Sequence, residues 1–313
     1  MKKKILLLLL ALTLALCSLA GCNSSQEFPS SNAGSESTST AAAQATPVTA
    51  TDFLDNTVTL EEAPQKIVSL TASNTEMLCE LGLEDKLIGV DSYSDYPESV
   101  KEITIVGDYT SPDIEKIISL QPDIVFASNT LQAELISQLT SAGITVAASE
   151  PTSYEQLLQS VELIGSLGGA EQEAIEEVQA RIRQLENEIK ALAGGKRSAY
   201  YILSYGEYGD WSAGPGSFIY DVLSMAGLKF ITEGMEYSFP MFAIEDLAAA
   251  DPEIIICDSN IATLEDLAAA AGYSELTAVK EGSVIFADGN IMSRPTLRMM
   301  EEALRIAKLI WEE

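Results

Sequence analysis

Residues 170–193 read AEQEAIEEVQARIRQLENEIKALA, and this stretch decides the fold. Its large apolar residues recur at alternating spacings of three and four, which predicts a long amphipathic helix with one apolar stripe. The stripe consists of Ile175, Val178, Ile182, Leu185, Ile189 and Leu192. About 24 residues at 1.5 Å each span roughly 36 Å, enough to run along two neighbouring domains. The pattern favours a stiff helix that joins two lobes, and a short coiled-coil dimer is the alternative.

On either side of this helix, short β-prone runs alternate with helical segments, which is typical of α/β domains. Strands are predicted at 66–70, 87–90, 123–127, 144–147, 199–203, 254–257 and 284–287. Helices are predicted at 74–81, 114–120, 131–141, 218–226, 244–250 and 296–311. We therefore predict an N-terminal α/β lobe over 51–169, a bridging helix over 170–193 and a C-terminal α/β lobe over 194–313.

An internal repeat supports the division into two lobes. Ile114-Glu115-Lys116-Ile117 aligns with Ile244-Glu245-Asp246-Leu247, and Pro122-Asp123-Ile124-Val125 aligns with Pro252-Glu253-Ile254-Ile255. Both alignments have the same offset of 130 residues (244 minus 114), and each copy is a helix, a turn and a buried strand. Helix–strand units share composition, so chance similarity is the alternative. If the repeat is real, Glu115 and Glu245 lie at equivalent helix starts.

The N-terminus has the pattern of a secretory signal. Three lysines, Lys2 to Lys4, precede an apolar run over 5–16, and Leu19-Ala20-Gly21-Cys22 follows. The run is shorter than the about 20 residues of a membrane-spanning helix, although a short uncut anchor is an alternative. Leu-Ala-Gly-Cys resembles a bacterial lipobox, which implies cleavage of the signal peptide 1–21 and lipid on the thiol of Cys22. Residues 22–50 are rich in Ser, Thr and Ala, so we predict a disordered tether.

The composition excludes several classes of function. The 313 residues include no histidine, which rules out His-dependent catalysis and His-ligated zinc or haem. With 18 basic against 47 acidic residues the net charge is −29, which argues against a nucleic-acid partner. Cys79 and Cys257 remain after Cys17 and Cys22 are accounted for, and we expect two buried thiols rather than a disulfide.

Seven short segments of the chain form an ordered set of motifs. They are Pro64-Gln65-Lys66-Ile67-Val68-Ser69-Leu70, Asn74-Thr75-Glu76, Leu81-Gly82-Leu83, Ile88-Gly89-Val90-Asp91-Ser92-Tyr93, Ser94-Asp95-Tyr96-Pro97, Gln121-Pro122-Asp123 and Ala278-Val279-Lys280-Glu281-Gly282. Together these motifs resemble the solute-binding proteins of iron-chelate and vitamin B12 ABC importers. The resemblance covers about residues 52–312. It implies the class III periplasmic binding protein fold, in which two Rossmann-like α/β lobes are joined by one long rigid helix and hold the ligand between them.

The resemblance also implies the partners. In this family a glutamate on each lobe grips arginines of the membrane permease, and these positions fall on Glu115 and Glu245. A glutamate in a first helical turn also favours the helix dipole, which is the alternative role. We therefore expect a monomeric, non-catalytic lipoprotein on the outer face of the bacterial cytoplasmic membrane. It would work with an ABC permease and its ATPase, without a resident cofactor or metal.

The ligand is expected in the cleft, among loops at the carboxyl ends of strands. The candidate ligand contacts are Tyr93, Tyr109, Ser128, Asn129, Tyr205, Trp211, Tyr237, Phe239, Asp288, Asn290 and Arg294, with Tyr96 and Tyr208 nearby. Tyrosine and tryptophan combine a flat apolar ring with a polar tip, which suits a large amphipathic ring system. Arg294 would contact an anionic group or, alternatively, help to cap its own helix.

The identity of the ligand stays open at this point. A cobamide suits an aromatic cleft with few cations, whereas a ferric catecholate chelate would need several basic residues. Haem would need an axial tyrosine or methionine. A secreted enzyme is a further alternative, but the sequence has no nucleophile elbow, no P-loop and no histidine base. A sensor lipoprotein of the same fold without a permease is another.

Overall fold

The computed structural model of the protein describes residues 47–130 and 132–312. The predicted signal peptide, the lipid site at Cys22 and the tether as far as residue 46 lie outside these residues. Each lobe is built on one four-stranded parallel sheet.

The N-terminal lobe contains six strands and four helices. The strands are β1 (Val48–Thr51), β2 (Thr57–Leu60), β3 (Ile67–Ser69), β4 (Leu87–Val90), β5 (Ile124–Ala127) and β6 (Val146–Ala148). The helices are α1 (Ala72–Glu80), α2 (Ile114–Leu120), α3 (Ala133–Ser141) and α4 (Tyr154–Gly168), with 3-10 turns at Glu84–Lys86 and Glu98–Glu102. Strands β3 to β6 form the parallel sheet in the order β4-β3-β5-β6, and β1 pairs with β2 in an antiparallel hairpin.

This hairpin corrects one predicted boundary. The tether was expected to extend to residue 50, but β1 already begins at Val48 and pairs with β2 in the register Val48 with Leu60. The β-branched residues of Val-Thr-Ala-Thr favour a strand. Their composition resembles that of the Ser-, Thr- and Ala-rich tether, so composition alone did not separate β1 from the tether.

Helix α5 (Gln172–Leu192) connects the lobes, and its apolar stripe is buried from Ile175 to Ile189, with Leu192 half-buried at its end. The stripe packs against α4 on one side and against the last helix of the C-terminal lobe on the other. Gly165 of α4 permits this packing, because a Cβ atom there would lie 2.5 Å from Ile175. The stripe is thus used within the chain, and the coiled-coil alternative is not supported.

The C-terminal lobe has four strands and six helices. They are β7 (Arg197–Ile202), α6 (Phe218–Met225), β8 (Leu228–Phe230), α7 (Ile244–Ala250), β9 (Ile254–Asp258), α8 (Leu264–Ala269), α9 (Thr277–Lys280), β10 (Val284–Ala287), α10 (Gly289–Met292) and α11 (Leu297–Trp311), with 3-10 turns at Gly206–Tyr208 and Tyr273–Glu275. The parallel sheet has the order β10-β9-β7-β8. If the strands of each sheet are counted along the chain, both sheets have the order 2-1-3-4. The predicted fold class of two α/β lobes joined by one long helix is confirmed.

The internal repeat is also confirmed in three dimensions. Helices α2 and α7 have equal lengths, and both end on a non-glycine residue in the left-handed region, Gln121 (φ 51°) and Asp251 (φ 38°). In each lobe the acid just before the third strand accepts hydrogen bonds from the first strand's beginning. Asp123 accepts from the backbone N–H of Lys66 at 2.9 Å, and Glu253 accepts from that of Ser198 at 3.0 Å.

The sequence analysis missed β1, β2 and β8 among the strands and α4, α8, α9 and α10 among the helices. Helix α4 has ordinary boundary signals, since the Ser153 side chain accepts from the N–H of Gln156 and Gly169 ends the helix in the left-handed region (φ 70°). Strand β8 has three residues, too few for a periodic pattern.

Both remaining cysteines are free thiols, as predicted. Cys257 is buried and Cys79 half-buried, and burial raises the pKa of each thiol to about 12. Among the helices of residues 47–130 and 132–312, none is both long and apolar enough to cross a membrane.

The left-handed residue at the end of α2 generates a stability prediction. Gln121 is exposed, and its Cβ atom is sterically unfavourable at positive φ. Asp251 has the same strain, but its carboxylate accepts hydrogen bonds from the N–H and the hydroxyl of Thr277. We expect Gln121→Gly to stabilise the protein by about 0.5–1 kcal/mol, measured by guanidinium unfolding of the protein.

A matched control is Gln138→Gly, which places glycine at an exposed position inside α3. It should destabilise the protein by about 1 kcal/mol, because glycine loses more backbone conformational entropy than glutamine when it is fixed in a helix. A Gln121→Gly protein that unfolds earlier than the parent would show that Gln121 makes a compensating interaction.

Candidate functional site

The strand order places a crevice at the same point in both lobes. In an order of 2-1-3-4, the connections that follow the first and third strands run in opposite directions along the sheet. The loops at the carboxyl ends of these two adjacent strands therefore diverge and leave a crevice. The switch points lie between β3 and β5 in the N-terminal lobe and between β7 and β9 in the C-terminal lobe. Open α/β sheets bind ligands at such points.

The carboxyl-end loops of the two sheets face each other. Arg294, which follows β10, donates from Nη2 to the carbonyl oxygen of Tyr93, which follows β4, at 3.0 Å. On the opposite side, the N–H of Tyr154, after β6, donates to the Asp221 carboxylate at 3.4 Å. Because both contacts join residues beyond strand carboxyl ends, we infer that the loops of the two switch points border a groove between the lobes.

The N-terminal side of the groove is rich in hydrogen-bond acceptors. Glu150 accepts a hydrogen bond from the hydroxyl of Tyr109 at 2.9 Å and one from the hydroxyl of Ser73 at 2.7 Å. The Tyr109 hydroxyl also lies 3.1 Å from the hydroxyl of Ser128. Burial and the negative charge of Glu150 raise the pKa of Tyr109, so the phenol stays protonated and remains a donor.

Buried hydroxyls continue this polar surface below the loops. Thr75 donates to Ser69 at 2.8 Å and lies 2.8 Å from the hydroxyl of Ser94. Ser94 in turn hydrogen bonds to Asp91. Burial raises the pKa of Asp91, although hydrogen bonds from Ser94 and the Tyr93 N–H oppose the shift.

Gln132 connects three of the loops. Its amide nitrogen donates to the carbonyl oxygens of Leu70 at 3.1 Å and Tyr109 at 2.8 Å, and its amide oxygen accepts from the N–H of Ser128 at 2.8 Å. The side chain is buried, so this amide fixes the loops after β3 and β5 relative to Tyr109.

The C-terminal side carries a cluster of aromatic residues. The loop after β7 turns back so that Trp211 pairs with both Ser204 and Met241 in isolated β-bridges. The indole N–H of Trp211 donates to the carbonyl oxygen of Tyr208 at 3.0 Å, which orients the ring. Tyr205 packs edge-on against Tyr273 at 5.5 Å between ring centroids and thus lies partly in the core.

The exposed aromatic residues concentrate on these loops. Six aromatic side chains in the described part of the chain are exposed, and all six belong to the segments predicted to line the cleft. They are Tyr93, Tyr96, Tyr208, Trp211, Tyr237 and Phe239. Exposing a large apolar ring to water is energetically unfavourable. The concentration of exposed rings on these loops therefore favours a binding surface.

The groove has little positive charge to offer. The segments after the strand ends carry Lys101 and Arg294, and Arg298 follows in the first turn of α11. Lys101 is ion-paired with Glu98, and both arginines are ion-paired with Glu76. No group of three or more potential metal-ligating side chains occurs within residues 47–130 and 132–312.

Three concavities lie elsewhere in the described part of the chain. One, of about 760 Å³, lies at the amino ends of the C-terminal strands, beside Arg197 and Arg305. A second, of about 970 Å³, lies between the β1–β2 hairpin and α3. A third, of about 580 Å³, lies along α5 beside Arg183 and Glu188. Parallel sheets bind ligands at the carboxyl ends of their strands, so we assign the site to the groove.

Comparison with known proteins establishes the family. The sequence model of the periplasmic binding protein family matches residues 67–291. The chain belongs to this family. It is thus a solute-binding protein and not an enzyme, and the resemblance inferred from its motifs is confirmed.

Relatives of this binding protein agree with that assignment. An uncharacterized ABC transporter substrate-binding lipoprotein of Bacillus subtilis, YvrC, is 29% identical over 310 residues, which cover 97% of this chain and 96% of that protein. A cobalamin-binding protein of Halobacterium salinarum is 27% identical over 274 residues, covering 83% of this chain and 73% of that protein.

Solved structures show the same fold. The vitamin B12-binding protein BtuF of Vibrio cholerae has a TM-score of 0.65 at 24% identity, with 78% of this chain and 98% of that chain covered. The haem-binding protein HutB of the same organism has a TM-score of 0.72 at 21% identity, with 79% and 99% covered. The class III fold of the binding protein is therefore shown.

Arg294, a predicted ligand contact, makes hydrogen bonds across the two lobes in the structure. Its guanidinium is buried and hydrogen bonded to Glu76, Asp95 and the Tyr93 carbonyl oxygen. Burial opposes its charge, but the hydrogen bonds to Asp95 and Glu76 outweigh this effect and raise the pKa of Arg294. The residue links the two lobes, because the acidic residues it meets lie on the other side of the groove.

The other predicted residues lie at strand ends in varied surroundings. Ser128 is fully buried, and the side-chain oxygen of Asn129 is buried without a hydrogen-bond partner among the described residues. Asp288 is exposed and caps α10 by accepting from the N–H groups of Asn290 and Ile291. Glu115 and Glu245 are exposed in the first turns of α2 and α7.

Sequence reasoning missed four polar residues of the groove. These are Ser73, Asp91, Gln132 and Glu150. Each follows the carboxyl end of a strand by only a few residues. The expectation that loops at strand carboxyl ends line the site, which selected Ser128, could therefore have selected them too. Their common polar types did not stand out in a chain with 47 acidic residues.

The position of Trp211 generates a spectroscopic prediction. The chain has two tryptophans, Trp211 exposed on the groove and Trp311 half-buried with its indole N–H bound to the Ala226 carbonyl oxygen. We expect acrylamide to quench the Trp311→Phe variant, which retains Trp211, several-fold more strongly than the Trp211→Phe variant. Equal Stern–Volmer constants would mean that Trp211 is covered in solution.

Proposed function

We propose that this chain is the extracytoplasmic, lipid-anchored solute-binding component of an ABC importer and that it captures a cobamide. The observation that carries the proposal is the collection of all six exposed aromatic residues of the described chain on loops that border one groove. The binding protein acts as a monomer, holds the ligand in the groove without any further cofactor, and delivers it to a permease driven by an ATPase.

The anchoring and the importer rest on two supports. The predicted lipobox at Cys22 would tether the domain outside the cytoplasmic membrane through residues 22–46. The relative YvrC, which matches almost the whole chain, is named an ABC transporter substrate-binding lipoprotein. A tethered domain stays near a permease in the same membrane, which raises its effective concentration there.

The chemistry of the groove favours a cobamide over an anionic chelate. A corrin ring offers a large flat face to aromatic residues, and its amide side chains donate hydrogen bonds to acceptors such as Glu150. A ferric catecholate carries several negative charges and would meet the Glu150 carboxylate without an unpaired cation among the described groove residues to offset it. The name of the Halobacterium relative, a cobalamin-binding protein, supports the same choice.

A direct test is a fluorescence titration of the Trp311→Phe protein with cyanocobalamin, hemin and a panel of ferric siderophores. Cyanocobalamin should quench Trp211 saturably at one ligand per chain, because the corrin would lie against the exposed aromatic cluster. Dialysis with absorbance detection gives the stoichiometry independently.

The Trp211→Phe protein is the matched control, since Trp311 lies on the far end of α11 and should report only inner-filter absorption. Saturable binding of hemin or a ferric siderophore with none of cyanocobalamin would replace the cobamide assignment. Binding of none of these compounds would favour a sensor role.

The docking of the permease is a separate part of the proposal. Glu115 and Glu245 stand on equivalent helices of the two lobes, so two exposed carboxylates are held at a fixed separation on one rigid body. Complementary charge of this kind provides orientation and steering. The double variant Glu115→Ala with Glu245→Ala should abolish uptake of labelled cyanocobalamin by cells while leaving its affinity for the purified protein unchanged.

Glu134 and Glu265 supply the control, because each is an exposed first-turn glutamate on another helix, one in each lobe. Their double replacement by alanine removes the same charge and should leave uptake intact. Equal loss of uptake in both double variants would assign the effect to net charge rather than to docking.

A further inference from the structure

One carboxylate of the N-terminal lobe is bound entirely from the other lobe. Glu76 lies in α1 and is buried, with 2% of its side chain exposed. Its Oε1 atom accepts from Nη1 of Arg294 and from Nη1 of Arg298, both at 2.9 Å, and its Oε2 atom accepts from the hydroxyl of Thr296 at 3.1 Å. All three donors belong to the segment that enters α11.

The same two arginines also hold the loop that follows β4. Arg294 hydrogen bonds to the Asp95 carboxylate and to the Tyr93 carbonyl oxygen. The guanidinium of Arg298 lies over the ring of Tyr96, 3.7 Å from its centroid, which is a cation–π contact. This loop carries two of the six exposed aromatic residues of the groove.

These ion pairs differ from the others in the described part of the chain. The remaining pairs lie within one lobe, within α5 or between α5 and α11, and most are exposed. A buried ion pair loses much of its Coulomb energy to desolvation, so its main effect is to fix geometry. The planar guanidinium adds directional hydrogen bonds to that effect.

We propose that Glu76, Arg294 and Arg298 form an inter-lobe clamp that sets the width of the groove beside β4 and β10 and positions Tyr93 and Tyr96 against the ligand. The three are positioning residues for binding. The inference rests on the proposed function only in placing the ligand in the groove, and it does not depend on the identity of the ligand.

The clamp is expected to restrain the motion of the loop over 91–97. Without it, the loop over 91–97 keeps its local hydrogen bonds to Asp91 and Gly107 but loses its attachment to the C-terminal lobe. A ligand held by Tyr93 and Tyr96 would then leave faster, whereas its arrival, which is set mainly by diffusion and charge, would change little.

The first experiment needs no ligand. Hydrogen exchange of the full chain is compared for the parent, Arg294→Gln, the milder Arg298→Gln, and Arg305→Gln as the matched control. Arg305 lies on α11, as Arg298 does, and forms an ion pair with Glu302 at 2.6 Å within the C-terminal lobe. We expect exchange over 91–97 to accelerate about tenfold in Arg294→Gln, less in Arg298→Gln and not in Arg305→Gln, with the peptides of β5 and β9 unchanged.

The second experiment is stopped-flow dissociation of cyanocobalamin from the same proteins. We expect the dissociation rate to rise about tenfold in Arg294→Gln, equivalent to about 1.4 kcal/mol, with the association rate nearly constant. Arg305→Gln should keep both rates.

The clamp is overturned if exchange over 91–97 is the same in Arg294→Gln and Arg305→Gln, or if it rises equally in all peptides, which would mean general destabilisation. A parent protein that does not bind cyanocobalamin would contradict the proposed ligand, and the exchange result would still decide the clamp.

Discussion

The architecture depends on the apolar stripe of α5. Ile182, Leu185 and Ile189 are fully buried, and the helix that carries them packs on α4 of one lobe and α11 of the other. A helix of 21 residues has few soft degrees of freedom, so two lobes packed along it keep nearly constant positions. Helix α5 packs on both lobes and therefore sets how the two switch points face each other. The relative placement of the two sides of the groove is therefore set largely by helix packing.

The polar contacts between the lobes act at a different level. Apolar packing along α5 is non-directional and tolerates small sliding motions. The buried contacts of Glu76 with Arg294, Arg298 and Thr296 are directional, and they lie at the edge of the groove where the exposed aromatic residues begin. The molecule thus combines a general restraint along one helix with a local one beside the ligand. Such a division suits capture and release with small adjustments of the lobes rather than wide closure.

The two sides of the groove differ in chemistry although the lobes share a topology. The N-terminal side presents hydroxyls and carboxylates around Tyr109 and Glu150, while the C-terminal side presents Trp211, Tyr237 and Phe239. The repeat preserves elements that build the scaffold, such as the helix ends at Gln121 and Asp251 and the acids Asp123 and Glu253. The carboxyl-end loops have diverged. An amphipathic ligand that offers donors on one edge and a flat ring on another matches this asymmetry.

Local patterns in the sequence were sufficient for the scaffold. The periodic stripe of α5, the helices α2 and α7 with the observed boundaries, and the strands β4 and β10 follow from spacing and turn residues that act over a few positions. The aromatic groove residues were also predictable, because the ends of parallel strands meet on one edge of a sheet. The pairing of Glu76 with Arg294 was not, since these residues lie 218 positions apart and no local pattern reports which distant charges meet. The sequence alone determined two α/β lobes, a stiff helix and the candidate loops. The tertiary structure alone decided that Arg294 joins the lobes, because burial and partner choice depend on how separate elements pack.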